Sequence, residues 1–212
     1  MAQEIQFEET NLSYDPREHL ARIARLVFAR RLTDASGGNL SLRHGDRVYM
    51  TPAKAGSKQQ WQIEPGDVVA LDFHGNLVEG PDRRTREWQF HLGIYRAFEH
   101  AGGIIHAQGG HFMAFVAAGK PLPPVLEHTQ KFGTIGLTRS APAHSADLAN
   151  HVLEALKPQA AALAKHAIAT LVPQHGIIVV GRDLDDAFDT LDRLETNAQA
   201  FLLGRLLGNI PA

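Results

Sequence analysis

The sequence predicts a single α/β domain, and three observations carry that expectation. Apolar residues recur at helical spacing in two long stretches, 16–32 and 184–207. Between them lie short apolar runs of strand length, joined by turn signals such as His44-Gly45-Asp46 and His74-Gly75-Asn76. The 212 residues contain no internal repeat and no linker, and that length buries one good-sized core. Residues 1–14 read as a polar extension and 15–212 as the domain.

Each element has its own local reason. Asp15 can cap the first helix, Pro16 suits its first position, and Glu18 completes a box-like cap. Leu20, Ile23, Ala24, Val27 and Phe28 then share one face, and the helix should end near Leu32 because Ala35-Ser36-Gly37-Gly38-Asn39 is loop chemistry. Strands are expected over 40–43, 47–51, 68–73 and 77–78, with 51–56 an irregular stretch suited to a binding loop. Thr85 can cap a helix reaching about His100, with Trp88, Leu92 and Tyr95 on one face. That places Glu87 in its first turn, where the helix dipole favours the ionised carboxylate. A central strand from Gly103 runs into His106, and 111–118 is a short helix broken by Pro121 to Pro124. Residues 133–137 suggest another strand, and Ser145 caps a helix carrying Leu148, Val152 and Leu156. Strands over 167–172 and 176–180 meet at Pro173-Gln174-His175-Gly176, and Asp183 caps the final helix to about Leu207.

Composition narrows the function classes. A formal net charge of −2 provides no basic field for nucleic acid or an anionic membrane. Without cysteine there are no disulfides and no thiolate metal sites, which leans toward a cytoplasmic setting. The polar, acidic start is not a signal peptide, and no apolar run approaches the roughly 18 to 20 residues that span a bilayer.

The chemistry concentrates where the central strand ends, in His106-Ala107-Gln108-Gly109-Gly110-His111. Residues two apart in a strand project to one face, so His106 and Gln108 point together while Ala107 points away. A His-x-His pair there is good metal-ligand spacing, and His-x-Gln is a weakened version. The alternative is a strand end whose polar tips hydrogen-bond in a cleft. His175 at the later strand junction could add a ligand, and Ser36-Gly37-Gly38-Asn39 could cradle an anion on its exposed N–H groups or be a plain turn. His19, His44, His74, His91, His100, His144, His151 and His166 read as ordinary surface or packing residues.

Taken together, Ala35 to Ser41, Met50-Thr51-Pro52, Glu87-Trp88 with His91 and Tyr95, Ile104-Ile105-His106 and Gln174-His175-Gly176-Ile177 form an ordered set. In order and spacing, from about Pro16 to Leu207, they resemble the class II aldolase/adducin family. The resemblance implies a three-layer α/β domain whose central, mainly antiparallel sheet is covered by helices on both faces, assembled as a homotetramer with sites between subunits. It implies a divalent metal, typically zinc, held by three histidines: His106 matches the first, His175 the third, and Gln108 stands at the second. Glu87 matches the acid/base, and Gly38, Asn39, Thr51, Thr85 and Arg86 fall in the phosphate pocket.

The implied function is a lyase of the aldolase type. It would cleave a carbon–carbon bond in a small anionic hydroxy-carbonyl substrate, such as a sugar phosphate, through a metal-stabilised enediolate with Glu87 moving the proton. Decarboxylation and dehydration are variants within the family. Gln108 offers a weaker, harder ligand than imidazole, which lowers the affinity for zinc, still the expected metal, and opens the site to manganese or magnesium, while His111 could compensate or instead line the pocket. Arg86, with Arg84, points to an anionic substrate, since a guanidinium suits carboxylate or phosphate; the alternative is a solvated basic loop, Arg83-Arg84-Thr85-Arg86. The other reading is a non-catalytic, adducin-like self-association module that has lost its metal.

Overall fold

The computed structural model describes residues 14–208, so the polar extension lies outside the described residues except for Tyr14. The elements follow in the order α1 (Pro16–Ala29), β1 (Asn39–His44), β2 (Arg47–Met50), α2 (Ala55–Gln59), β3 (Val69–Asp72), β4 (Leu77–Glu79) and α3 (Trp88–Ala97). Then come β5 (Gly103–Ala107), α4 (Phe112–Ala118), α5 (Ala146–Leu156), β6 (Ile168–Val172), β7 (Gly176–Gly181) and α6 (Leu184–Leu206). The seven strands form one sheet in the order β4-β3-β2-β1-β5-β7-β6, and every neighbouring pair is antiparallel.

The period-2 alternation of the strands divides the core into two halves. Leu40, Leu42, Ile105, Ala107, Ile177 and Val179 pack with α1, α4 and α6. Val48, Met50, Val69, Ile104, Ile178 and Val180 pack on the other face with α3 and α5. Helices therefore cover both faces, and the expected three-layer α/β architecture is the one observed. Because the alternation continues to the strand ends, Asn39 and Ser41 of β1 and His106 of β5 belong to the α3–α5 side.

Some boundaries differ from the sequence expectation for identifiable reasons. Helix α1 stops at Ala29 rather than near Leu32, because Arg31 takes a left-handed conformation (φ 59°) and the Leu32 N–H returns to the Val27 carbonyl. That closing turn satisfies the helix's last carbonyls and buries Leu32. Asp15 caps the helix by accepting from the Arg17 N–H, without the reciprocal bond expected of Glu18. Residues 133–137 do not form a strand. They make single bridges: Ile135 pairs with Leu122, and Leu137 pairs with Leu171 to cover the outer edge of β6. The aperiodic stretch after Thr51 contains α2, anchored by the fully buried Trp61, whose indole N–H donates to the Asp34 carbonyl.

Close backbone approach fixes α6 against the central strands. A Cβ on Gly103 would lie 2.4 Å from the backbone nitrogen and Cα of Leu184, and neither atom can swing aside. No helix among the described residues is long and apolar enough to cross a membrane. Gly103→Ala should force α6 off β5 and destabilise the protein by about 2 kcal/mol, the usual cost of overpacking. A urea denaturation midpoint equal to that of the parent would show that the helix yields without cost.

Candidate active site

Glu87 is the focus of the site, and it reaches that position by not being a helical residue. Helix α3 starts at Trp88, with Glu87 at the N-cap position, so the sequence expectation of a Thr85 cap and a first-turn Glu87 is corrected. Thr85 instead accepts the Glu87 N–H on its hydroxyl (3.4 Å) and the Trp88 N–H on its carbonyl, closing a turn ahead of the helix. The Glu87 side chain makes no capping bond and turns into the protein, where the residue is only 5% exposed.

Four side chains from four parts of the chain meet the carboxylate. Oε2 accepts from Asn39 Nδ2 at 2.7 Å and lies 2.7 Å from His106 Nδ1. Oε1 lies 3.1 Å from His175 Nε2 and 3.5 Å from His144 Nδ1. Asn39 and His106 are direct cross-strand partners in the β1–β5 register, so sheet pairing places both donors. The His106 and His175 rings stack with centroids 4.8 Å apart. Burial alone would oppose the charge on Glu87, but His106, then His175 and Asn39, outweigh it and hold the carboxyl well below the usual carboxylate range.

Glycines make room for this arrangement. A Cβ on Gly37 would sit 1.9 Å from Gln108 Oε1, and one on Gly176 would meet His106 Nε2 and the Gln108 side chain, each at 3.1 Å. The Gln108 amide thus lies beside His106, with Nε2 to Nε2 at 3.5 Å, too long for a good hydrogen bond.

Donor atoms of Glu87, His106 and His175 all lie within 4.8 Å of one another, a set that could hold a metal ion. Two imidazoles and a carboxylate, with a loosely engaged amide alongside, are chemically suited to a divalent cation with open coordination positions. The cluster opens on a cavity of about 440 Å³ lined by Gly37, Gly38, Asn39, Lys54, Thr85, Arg86, Gln108 and His144, among others.

Several sequence expectations move. His111 does not join the cluster: its backbone N–H and Nδ1 both engage the Glu195 carboxylate of α6, and it does not line the cavity. Thr51 is fully buried, accepts the Leu40 N–H on its hydroxyl at 3.1 Å, and also stays out of the cavity. Arg84 is held by Asp82 and the Gly75 carbonyl with its guanidinium over the Trp88 ring, so of the two arginines only Arg86 faces the cavity.

Three further side chains belong to the site or lie directly beneath it. Lys54, in the stretch suited to a binding loop, lines the cavity from a left-handed conformation (φ 64°). His144, before the Ser145 cap, takes a left-handed conformation (φ 65°), unusual for a non-glycine residue. His91 is fully buried beneath Asn39 and also lies 2.6 Å from Ser41 Oγ, which in turn is 2.8 Å from the Tyr95 hydroxyl. Its position one helical turn after Glu87 was the available signal.

An antiparallel sheet layered by helices, with a carboxylate and two imidazoles at the strand ends, defines the architecture to which comparison with known proteins gives a family. Residues 18–202 match the model described as the class II aldolase and adducin N-terminal domain, and the chain belongs to that family. It is 30% identical over 181 residues to an L-fuculose phosphate aldolase of Methanococcus maripaludis, covering 84% of this chain and 91% of that one. It is 29% identical over 196 residues to a 3-oxo-tetronate 4-phosphate decarboxylase of Haemophilus influenzae, covering 87% and 86% of the two chains. The fold matches a solved L-fuculose 1-phosphate aldolase with a TM-score of 0.80 at 24% identity, over 92% of this chain and 89% of that one.

Burial of His91 has a consequence for stability. Desolvation pushes its pKa down to about 3 from 6.5, against an opposing pull from the Glu87 charge. The unfolded chain therefore takes up a proton below about pH 6.5 that the folded ring refuses, and stability falls as pH falls. The slope from this group reaches at most about 1.4 kcal/mol per pH unit. Between pH 6.5 and 4.5, His91→Gln should flatten the dependence of unfolding free energy on pH. The same slope in parent and variant would contradict this.

Proposed function

We propose that the protein is a divalent-metal-dependent lyase acting on the carbon–carbon bond next to the carbonyl of a small phosphorylated hydroxy-carbonyl compound. The observation that carries this reading is the buried Glu87 carboxylate, ringed by His106, His175 and Asn39 at a cavity that also holds the cations Lys54 and Arg86. Both cations are exposed, and neither makes an ion pair among the described residues. A structural salt-bridge network would not leave two cations free beside a metal-capable cluster.

His106 and His175 would hold the ion, with Glu87 beside it and the Gln108 amide oxygen as a further, weaker donor. A bound zinc, manganese or magnesium ion supplies Lewis-acid polarisation of a carbonyl. The chain's own residues do the rest. Lys54, Arg86 and the N–H groups around Gly37 and Gly38 attract and orient the anionic end of the substrate. Asn39 and the two imidazoles keep Glu87 ionised until it takes or gives a proton at carbon.

The relatives named above act on phosphorylated substrates, one as an aldolase and one as a decarboxylase. Cleaving the aldol bond of a ketose 1-phosphate, or decarboxylating a phosphorylated 3-oxo acid, leaves the same need: a proton must be delivered to carbon beside a ketone. Glu87 serves either outcome, and the groups around the departing fragment choose between them. A homotetramer is part of the proposal. The exposed Leu203, Leu206 and Leu207 at the end of α6 support an assembly surface.

Dihydroxyacetone phosphate is the smallest phosphorylated hydroxyketone, and its α-proton exchange with deuterated solvent reads the shared step without choosing a reaction partner. Protein loaded with zinc or manganese should catalyse that exchange and bind about one metal ion per chain. Glu87→Gln should retain metal and lose at least about a hundredfold in exchange, the usual loss for a general acid/base. Undiminished exchange in Glu87→Gln would remove Glu87 from the mechanism. Absence of metal binding in the parent would favour the non-catalytic, adducin-like reading instead.

A further inference from the structure

The buried polar chain beneath Glu87 permits only one consistent placement of hydrogens. A carboxylate oxygen only accepts, so the Asn39 amide must turn its N–H toward Glu87 Oε2. Asn39 Oδ1 then faces His91 Nε2, which must carry the ring hydrogen. His91 is fully buried and neutral, so Nδ1 keeps its lone pair and accepts from the Ser41 hydroxyl at 2.6 Å. The Ser41 oxygen, its hydrogen committed to the ring, accepts from the Tyr95 hydroxyl at 2.8 Å. Burial pushes the Tyr95 phenol up, so that hydrogen stays in place.

We propose that Tyr95, Ser41 and His91 are positioning residues for Glu87. Their hydrogen bonds run in one direction, from the Tyr95 hydroxyl through Ser41, His91 and Asn39, and fix Oε2 as a permanent acceptor. Oε1, beside the cavity-lining His175 and His144, is left as the oxygen that exchanges the proton with substrate. This rests on the reading of Glu87 as the acid/base.

The physical reason is directional. Each donor polarises the next, so the amide that reaches Glu87 is a stronger and better-aimed donor than an isolated asparagine. With the His91 tautomer reversed, two lone pairs would face each other between ring and amide. The Asn39 side chain would then rotate and release the carboxylate. Tyr95 is eight residues beyond Glu87 and touches neither the cluster nor the cavity, so packing alone assigns it no part in proton transfer.

The test combines nitrogen NMR with kinetics on the zinc-loaded protein, the His91 resonances being assigned by their loss in His91→Gln. In the parent, Nε2 should show the resonance of a protonated ring nitrogen and Nδ1 that of an unprotonated one. Ser41→Ala should lower the saturating rate of α-proton exchange on dihydroxyacetone phosphate about tenfold. The half-saturating concentration should not change. Tyr95→Phe, which removes one oxygen and keeps the packing, should act in the same direction more weakly, and carries the test if Ser41→Ala does not fold. A parent ring protonated at Nδ1, or parental exchange rates in both variants, overturns the proposal. Full exchange in Glu87→Gln would instead remove Glu87 itself, a failure of the functional reading that leaves the His91 tautomer as a separate result.

Discussion

Moving an ionised carboxylate out of water costs several kcal/mol unless donors replace the lost hydration, and Glu87 is held at 5% exposure. The rest of the site is arranged around meeting that cost. Two imidazoles and an amide surround the two oxygens, and none of these groups is a sequence neighbour of Glu87. Removing any one would leave a buried charge short of a partner, which is more damaging than the loss of an ordinary surface ion pair.

The sheet supplies the rigidity this requires. Register between β1 and β5 sets Asn39 opposite His106, and β7 on the far side of β5 begins directly after His175. Asn39 and His106 are therefore fixed by the backbone ladder itself, and His175 by the tight turn that joins β6 to β7. Glycine at 37 and 176 lets the Gln108 amide and the His106 ring occupy space that any side chain would fill. Helix α3 contributes Glu87 from its N-cap and His91 one turn later, so one short element carries both ends of the Asn39 bridge.

The cavity adds a contrast of charge. The Glu87 carboxylate lies at the inner wall, while Lys54 and Arg86 line the same cavity and make no ion pair among the described residues. Under the proposed function, the two charged regions would orient a substrate with a reactive carbon at one end and a phosphate at the other. The Gln108 amide lies beside the His106 ring at the edge of this cluster.

Local physics made much of this protein legible in its sequence. Asp15, Ser145 and Asp183 each cap the helix they were expected to cap, because a cap depends on residues within one turn. Strand alternation correctly placed His106 and Gln108 together at the end of β5 and left Ala107 in the opposite core. The motif order was enough to indicate the family. What the sequence could not disclose was which side chains meet. His111 carries the same chemistry as His106 but is drawn to Glu195, 84 residues away, and Arg84 departs from Arg86 onto Trp88. His91 and Ser41, unremarkable in their own segments, become neighbours across 50 residues because β1 lies beneath α3. Periodicity and capping are properties of a few consecutive residues. Contact between distant side chains depends on strand order, register and the direction each backbone turns, and those were decided only by the tertiary fold.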